Sequence, residues 1–98
     1  MSNHGERRYL LCYDVADPKR LGRVHRRVKQ DGVALQYSVF DLRLPAPRLR
    51  RLIADLRSLI DEREDDVRIY GLAADAPISW IGQQPLPEGV QVFHNRNE

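Results

Sequence analysis

The sequence predicts an α+β fold in which one β-sheet carries its helices on a single face, and three observations point there. Apolar residues alternate along residues 7 to 14 and again along Val67 to Leu72, the period of a strand. Two stretches, residues 18 to 30 and Pro45 to Ile60, repeat their apolar residues at i, i+3, i+4 and i+7, the period of a helix. Between the helices, Val33 to Leu44 is rich in β-branched and aromatic residues and reads as strand. Strand, helix, strand, helix, strand in this order lays helices on a sheet, with right-handed crossovers wherever they join parallel neighbours. The small version of that arrangement is a ferredoxin-like plait.

In the first strand, Tyr9, Leu11 and Tyr13 share one face while Leu10 and Cys12 share the other. Both faces are apolar, so this strand is expected at the centre of the sheet. Asp17 followed by Pro18 marks a helix start, an N-cap oxygen ahead of a residue whose missing N–H costs nothing at the first position. Leu21, Val24, His25 and Val28 form the buried stripe of that helix, and Asp31-Gly32 is expected to stop it. Pattern alone makes Val33 to Leu44 one long strand, although a plait requires two at this point. The second helix buries Leu49, Leu52, Ile53, Leu56, Leu59 and Ile60, and turns Arg48, Arg50, Arg51 and Arg57 outward; its start has proline but no obvious capping side chain. An acidic turn, Asp61-Glu62-Arg63-Glu64-Asp65-Asp66, leads into the last core strand. Beyond it lie two apolar patches, Ile78-Ser79-Trp80-Ile81 and Val90-Gln91-Val92-Phe93, the second suited to an edge strand, and Asn95 to Glu98 reads as a frayed end.

A chain of 98 residues, 42% hydrophobic and 31% charged, makes one small domain, with a core over about residues 7 to 73 and an extension over 74 to 98. Such a domain hides only about 60 to 70% of the surface its unfolded chain exposes, so association with a second copy would help it. No stretch approaches the roughly 18 apolar residues of a membrane span. Met1 to Glu6 lacks the apolar centre of a signal peptide, which predicts a cytoplasmic protein without a membrane partner. A single cysteine, Cys12, forms no internal disulfide and suits a small core position.

The net charge of +2 conceals an asymmetry. Residues 1 to 57 hold 13 Lys and Arg against 6 Asp and Glu, or +7, while residues 58 to 98 hold 3 against 8, or −5. Arginine supplies 14 of the 16 cations, and its planar fork matches phosphate oxygens. Lys19, Arg20, Arg23, Arg26, Arg27 and Lys29 place six cations within 11 residues of the first helix. A GC-rich genome with solvated arginines would give a similar composition. The clustering favours a polyanionic partner.

The motifs add what periodicity cannot. YLLCYDVADPKRLGRVHRRVK, then LQYSVFDLRL, then a helix of this length and DDVRIYGL, resemble the small second CRISPR-associated protein family over roughly residues 8 to 73. Tyr13-Asp14 with Asp17 three on, Gln36-Tyr37-Ser38-Val39-Phe40 and Val67-Arg68-Ile69-Tyr70 are the most specific pieces. The resemblance implies a ferredoxin-like βαββαβ sandwich, with VALQYSVFDLRL split in two by a tight reversal or kink. It also implies a homodimer in which an additional C-terminal strand, a role for Val90 to Phe93, joins the partner's sheet. Members act in spacer acquisition, holding DNA as a dimer between pairs of the CRISPR integrase, the first CRISPR-associated protein. They are also described as metal-dependent nucleases acting on single-stranded RNA or double-stranded DNA. Carried over by residue, the metal ligand is Asp14, with Tyr13, Arg23 and Phe40 at further positions associated with activity. Ala34, two residues before Gln36, departs from members that carry a basic residue there, so the resemblance does not extend to that substrate contact.

Asp14 also has a case independent of the family. Magnesium, or manganese in its place, accepts oxygen ligands and keeps several waters, so one or two carboxylates suffice. A two-fold axis near the ends of the first strands would bring two copies of Asp14 together. Carboxylates about 4 Å apart repel by roughly 4 kcal/mol at an effective dielectric near 20, and a cation relieves this. The plain reading is that Asp14 caps a turn or meets an arginine, as Asp17 caps its helix. His25 falls on the buried side of its helix and His4 and His94 near the ends, so no histidine metal cluster forms. No histidine stands ready to activate Ser38 or Tyr37 as a nucleophile, so Ser38 reads as a structural hydroxyl.

Three functions are consistent with these features. The first is a magnesium-dependent endonuclease centred on Asp14. The second is a non-catalytic scaffold that grips nucleic acid through Lys19, Arg20, Arg23, Arg26 and Arg27. The third, a ferredoxin-like ligand-binding regulator, would show a small-molecule pocket and no salt-sensitive DNA affinity.

Overall fold

The computed structural model describes residues 5–79, 81 and 82. Six elements follow one another in these residues: β1 (Glu6–Asp14), α1 (Pro18–Lys29), β2 (Gly32–Gln36), β3 (Val39–Pro45), α2 (Ala46–Leu59) and β4 (Asp66–Leu72). The strands form one sheet in the order β2-β3-β1-β4, the ferredoxin-like plait, with β1 central as its two apolar faces require. Every neighbouring pair is antiparallel, as the expected ferredoxin-like plait requires. β3 inserts between β1 and β2 because it returns directly from β2.

That return is the main departure from the periodicity. Val33 to Leu44 is not one strand, because Tyr37 and Ser38 reverse the chain between β2 and β3. The pairing slips between Ala34 and Gln36, so Leu35 is an extra residue that bends β2. The reversal carries no Asn-Gly or Asp-Gly signature. Tertiary bonds hold it instead: the Tyr13 N–H donates to the Ser38 carbonyl at 3.1 Å, and the Tyr13 hydroxyl donates to the Tyr37 carbonyl.

Both helices begin as the sequence predicts. The Asp17 carboxylate accepts the Arg20 N–H at 2.9 Å, and Pro18 takes the first turn. Pro45 precedes α2 with no side-chain cap. The end of α1 differs in mechanism from the expected glycine stop. Gln30 and Asp31 close the last turn by donating to the Arg27 and Val28 carbonyls, and Gly32 already begins β2. A Cβ at position 32 would collide with the Leu42 side chain and stand 3.0 Å from the Asp41 carbonyl oxygen. Gly32 is there to let β2 lie close on β3.

The helices cover one face of the sheet. Leu11, Val24, Val28, Phe40, Leu42 and Leu52 are fully buried between the layers, with Tyr13, Val15, Leu44 and Leu56 nearly so. Burying side chains of this size stabilises by about 1.5–3 kcal/mol each. No helix among the described residues is long and apolar enough to cross a membrane. Val90 to Phe93, expected as the additional strand, lies outside the described residues.

Candidate functional site

Strand alternation decides what β1 presents on each side. Leu11 and Tyr13 face the helices, opposite Phe40 of β3 and Ile69 and Val67 of β4. Leu10, Cys12 and Asp14 face the other way, onto the side of the sheet that carries no helix. Asp14 is exposed at the end of the strand and stands directly across from Asp66 of β4. Asp66 accepts a bond from Arg68 Nε at 2.8 Å. Like charges opposed on a ladder are unfavourable, and the Arg68 guanidinium offsets the Asp66 charge here.

The carboxylate oxygens are suitable ligands for a magnesium or manganese ion that keeps most of its waters. No cluster of three or more potential ligands exists among the described residues.

Tyr13 and Phe40 are not brought to Asp14. Both lie in the core, with ring centroids 6.3 Å apart and Phe40 fully buried. Burial pushes the Tyr13 phenol well above its ordinary value, with Tyr37 adding to the shift, so it stays protonated at neutral pH. Its oxygen is 3.0 Å from His25 Nδ1, which is itself 3.0 Å from the Tyr37 carbonyl oxygen. His25 also stacks flat on the Tyr37 ring, centroids 3.9 Å apart and planes 2° from parallel. A histidine does therefore stand beside the Tyr37-Ser38 reversal, as a stacking partner of Tyr37.

The basic residues of α1 divide into two sets. Arg20 grips Asp65 with two bonds, at 2.8 and 3.1 Å, and reaches Glu64 at 3.3 Å. Arg27 binds Asp55 at 2.8 Å and Asp31 at 3.0 Å, and Asp31 also accepts from Arg48. These pairs tie α1 to α2 and to the turn before β4. Lys19, Arg23, Arg26 and Lys29 form no ion pair among the described residues, nor do Arg50 and Arg51 of α2. The outer face of the helical layer thus carries uncompensated positive charge, on the side of the molecule opposite the open sheet face.

Two buried ion pairs had no signal in periodicity. Asp65, read as part of an acidic turn, is fully buried, accepts the N–H groups of Ala16 and Asp61 at 2.9 and 2.8 Å, and is held far below the usual carboxylate range chiefly by Arg20. Arg8, only 5% exposed, forms a fork with Asp41 at 3.1 and 2.8 Å and donates to the Ala76 carbonyl at 2.6 Å. That contact fastens the segment after β4 across the start of β1. A charged residue within a strand of alternating pattern was the only hint.

The model of the family described as CRISPR associated protein Cas2 matches residues 7–76, which span every element above. The chain belongs to the Cas2 family. A curated Cas2 relative from Nitrosomonas europaea, named a CRISPR-associated endoribonuclease, is 46% identical over 83 residues, covering 85% of this chain and 79% of that protein. The crystal structure of Cas2 from Streptococcus pyogenes superposes with a TM-score of 0.66 at 30% identity, covering 69% of this chain and 88% of that one. A chain in a structure described as a partial Cas6-RT-Cas1–Cas2 complex superposes with a TM-score of 0.62, also at 30% identity, covering 70% of this chain and 76% of that chain. The Cas2 motifs carried by β1, by the Tyr37-Ser38 reversal and by β4 converge at one end of this sheet, where Asp14 stands.

Proposed function

We propose that the chain serves CRISPR spacer acquisition as a homodimer that grips duplex DNA by its phosphates and docks the Cas1 integrase. The observation that carries the reading is the charge sorting on the helical layer. Carboxylates neutralise Arg20, Arg27 and Arg48, yet leave Lys19, Arg23, Arg26, Lys29, Arg50 and Arg51 to solvent. Cations held on helices and matched by no anion among the described residues suit a sequence-independent hold on phosphate. Arg20 and Arg27 contribute by fixing the helices, and meet phosphate only where it displaces a carboxylate. The Cas1–Cas2 complex among the structural relatives supports the integrase as partner.

Dimerisation is supported by the open sheet face, where Leu10, Cys12, Val39 and Leu72 are only half-buried and Tyr70 is 48% exposed. A second copy seated there covers this apolar surface and sets Asp14 near its twin, because Asp14 belongs to the same face.

The names of the relatives favour a second activity, phosphodiester cleavage, on RNA in the endoribonucleases and without a stated substrate in the endonuclease. In this reading Asp14 binds magnesium or manganese together with its twin or Asp66, while Arg23, on the outer face of α1, serves the hold on duplex phosphate. The metal, when bound, polarises the phosphodiester and activates water. Tyr13 and Phe40 act as positioning residues that fix the end of β1 from the core side. Asp14→Ala is expected to abolish metal-dependent cleavage while leaving duplex affinity within about twofold, and Arg23→Glu with Arg26→Glu to do the reverse. A mixed dimer with one Asp14→Asn subunit measures whether the site is shared, since undiminished cleavage rules sharing out. Loss of duplex binding in Asp14→Ala would overturn the division of labour.

A further inference from the structure

The stacked pair at the β2–β3 reversal has a role beyond holding the turn. Tyr37 is 53% exposed although His25 covers one face of its ring at 3.9 Å and 2°. A planar ring blocked on one side and still half in solvent must present its other side to water. The platform is held rigidly. The Tyr37 carbonyl accepts from the Tyr13 hydroxyl and lies within bonding distance of His25 Nδ1, so the backbone beneath the ring is fixed to both β1 and α1. Phe40 packs against His25 from the core, centroids 5.5 Å apart, and supports the stack from behind.

Cations flank it. Lys29 lies one turn beyond His25 on α1, and Arg26 extends back along the helix toward Gly22, where a Cβ would meet its Nη1 at 3.4 Å. Neither cation forms an ion pair among the described residues. An exposed aromatic face against a helix that also carries these cations offers stacking for an unpaired base and charge for its phosphates. A base inside a duplex has both faces occupied by its neighbours and cannot use it.

We propose that the His25–Tyr37 stack is a platform for one unpaired base of single-stranded nucleic acid, with Arg26 and Lys29 holding the adjoining phosphates. The inference rests on the nucleic-acid reading above and adds a preference for unpaired strands at this end of the sheet.

Fluorescence anisotropy of the full chain with a 12-nucleotide RNA, the matching single-stranded DNA and the duplex, at one low salt concentration, tests it. Tyr37→Leu keeps the backbone carbonyl that Tyr13 and His25 use, so the turn is expected to persist. The variant should lose at least about fivefold in single-strand affinity and leave duplex affinity unchanged, while Tyr37→Trp should retain both. A 2-aminopurine in the single strand should be quenched by the natural chain and not by Tyr37→Leu. A loss confined to RNA or to DNA identifies which strand the platform receives. Single-strand and duplex affinities falling together, or neither falling, overturns the platform alone. Absence of any oligonucleotide binding by the natural chain overturns the wider reading with it.

Discussion

Asp65 shows how much a single residue can carry that its surroundings in sequence conceal. Within six charged residues in a row, it alone is fully buried, and four donors converge on its oxygens from Ala16, Arg20 (twice) and Asp61. These donors favour the ionised form, chiefly through Arg20, so its folded-state value lies below that of the unfolded chain. Asp31 is shifted the same way, since burial opposes ionisation there but the Arg48 and Arg27 donors outweigh it. A carboxylate depressed by folding stabilises fully above its unfolded value near 4, and the contribution drains away as pH falls below that. Urea unfolding followed from pH 7 to pH 2 should therefore show a midpoint that falls steeply below about pH 4. In Asp65→Asn the midpoint should be lower at pH 7 and the acid limb shallower. An unchanged limb would mean that the cluster is not what ties α1 to the turn before β4. The opposite lesson holds for Asp14, which folding uses least: its carboxylate accepts no bond among the described residues and sits in an unfavourable register opposite Asp66.

At the scale of elements, the helices were legible because each obeys a local rule. Asp17-Pro18 starts α1 by chemistry confined to four residues, and the apolar stripes of α1 and α2 fall on the core as their spacing requires. The β2–β3 reversal was not legible from pattern, because the groups that hold it, Tyr13 and His25, are 24 and 12 residues away from Tyr37. The family motif supplied the split that periodicity missed. Gly32 illustrates the same point, since its neighbours in sequence suggest a helix stop and its neighbours in space demand a missing side chain. Gly32→Ala should destabilise by about 1–3 kcal/mol, because the added methyl must displace Leu42, itself fully buried. Gly71, whose Cβ would meet nothing within 4 Å, is the control and should tolerate alanine. Equal costs at the two positions would argue that flexibility, not packing, explains Gly32.

The whole molecule separates two functions by face. Cations that pair with no carboxylate among the described residues lie on the helical layer, and Asp14 lies on the open side of the sheet among half-buried apolar residues. The charge asymmetry of the sequence predicted a basic half. It did not predict that Arg20 and Arg27 would reach Asp65 and Asp55, because a carboxylate 45 or 28 residues away leaves no trace in local composition. Nor does composition reveal the buried Arg8–Asp41 fork that fastens the segment after β4. The central claim, that the helical layer holds duplex phosphates independently of Asp14, is tested most directly by the salt dependence of duplex affinity. Each phosphate contact contributes about −0.9 to the slope of log affinity against log salt. Arg23→Ala with Arg26→Ala should make that slope shallower by about 2, and Asp14→Ala should leave it unchanged. A slope indifferent to the two arginines, or one that collapses in Asp14→Ala, would contradict the account.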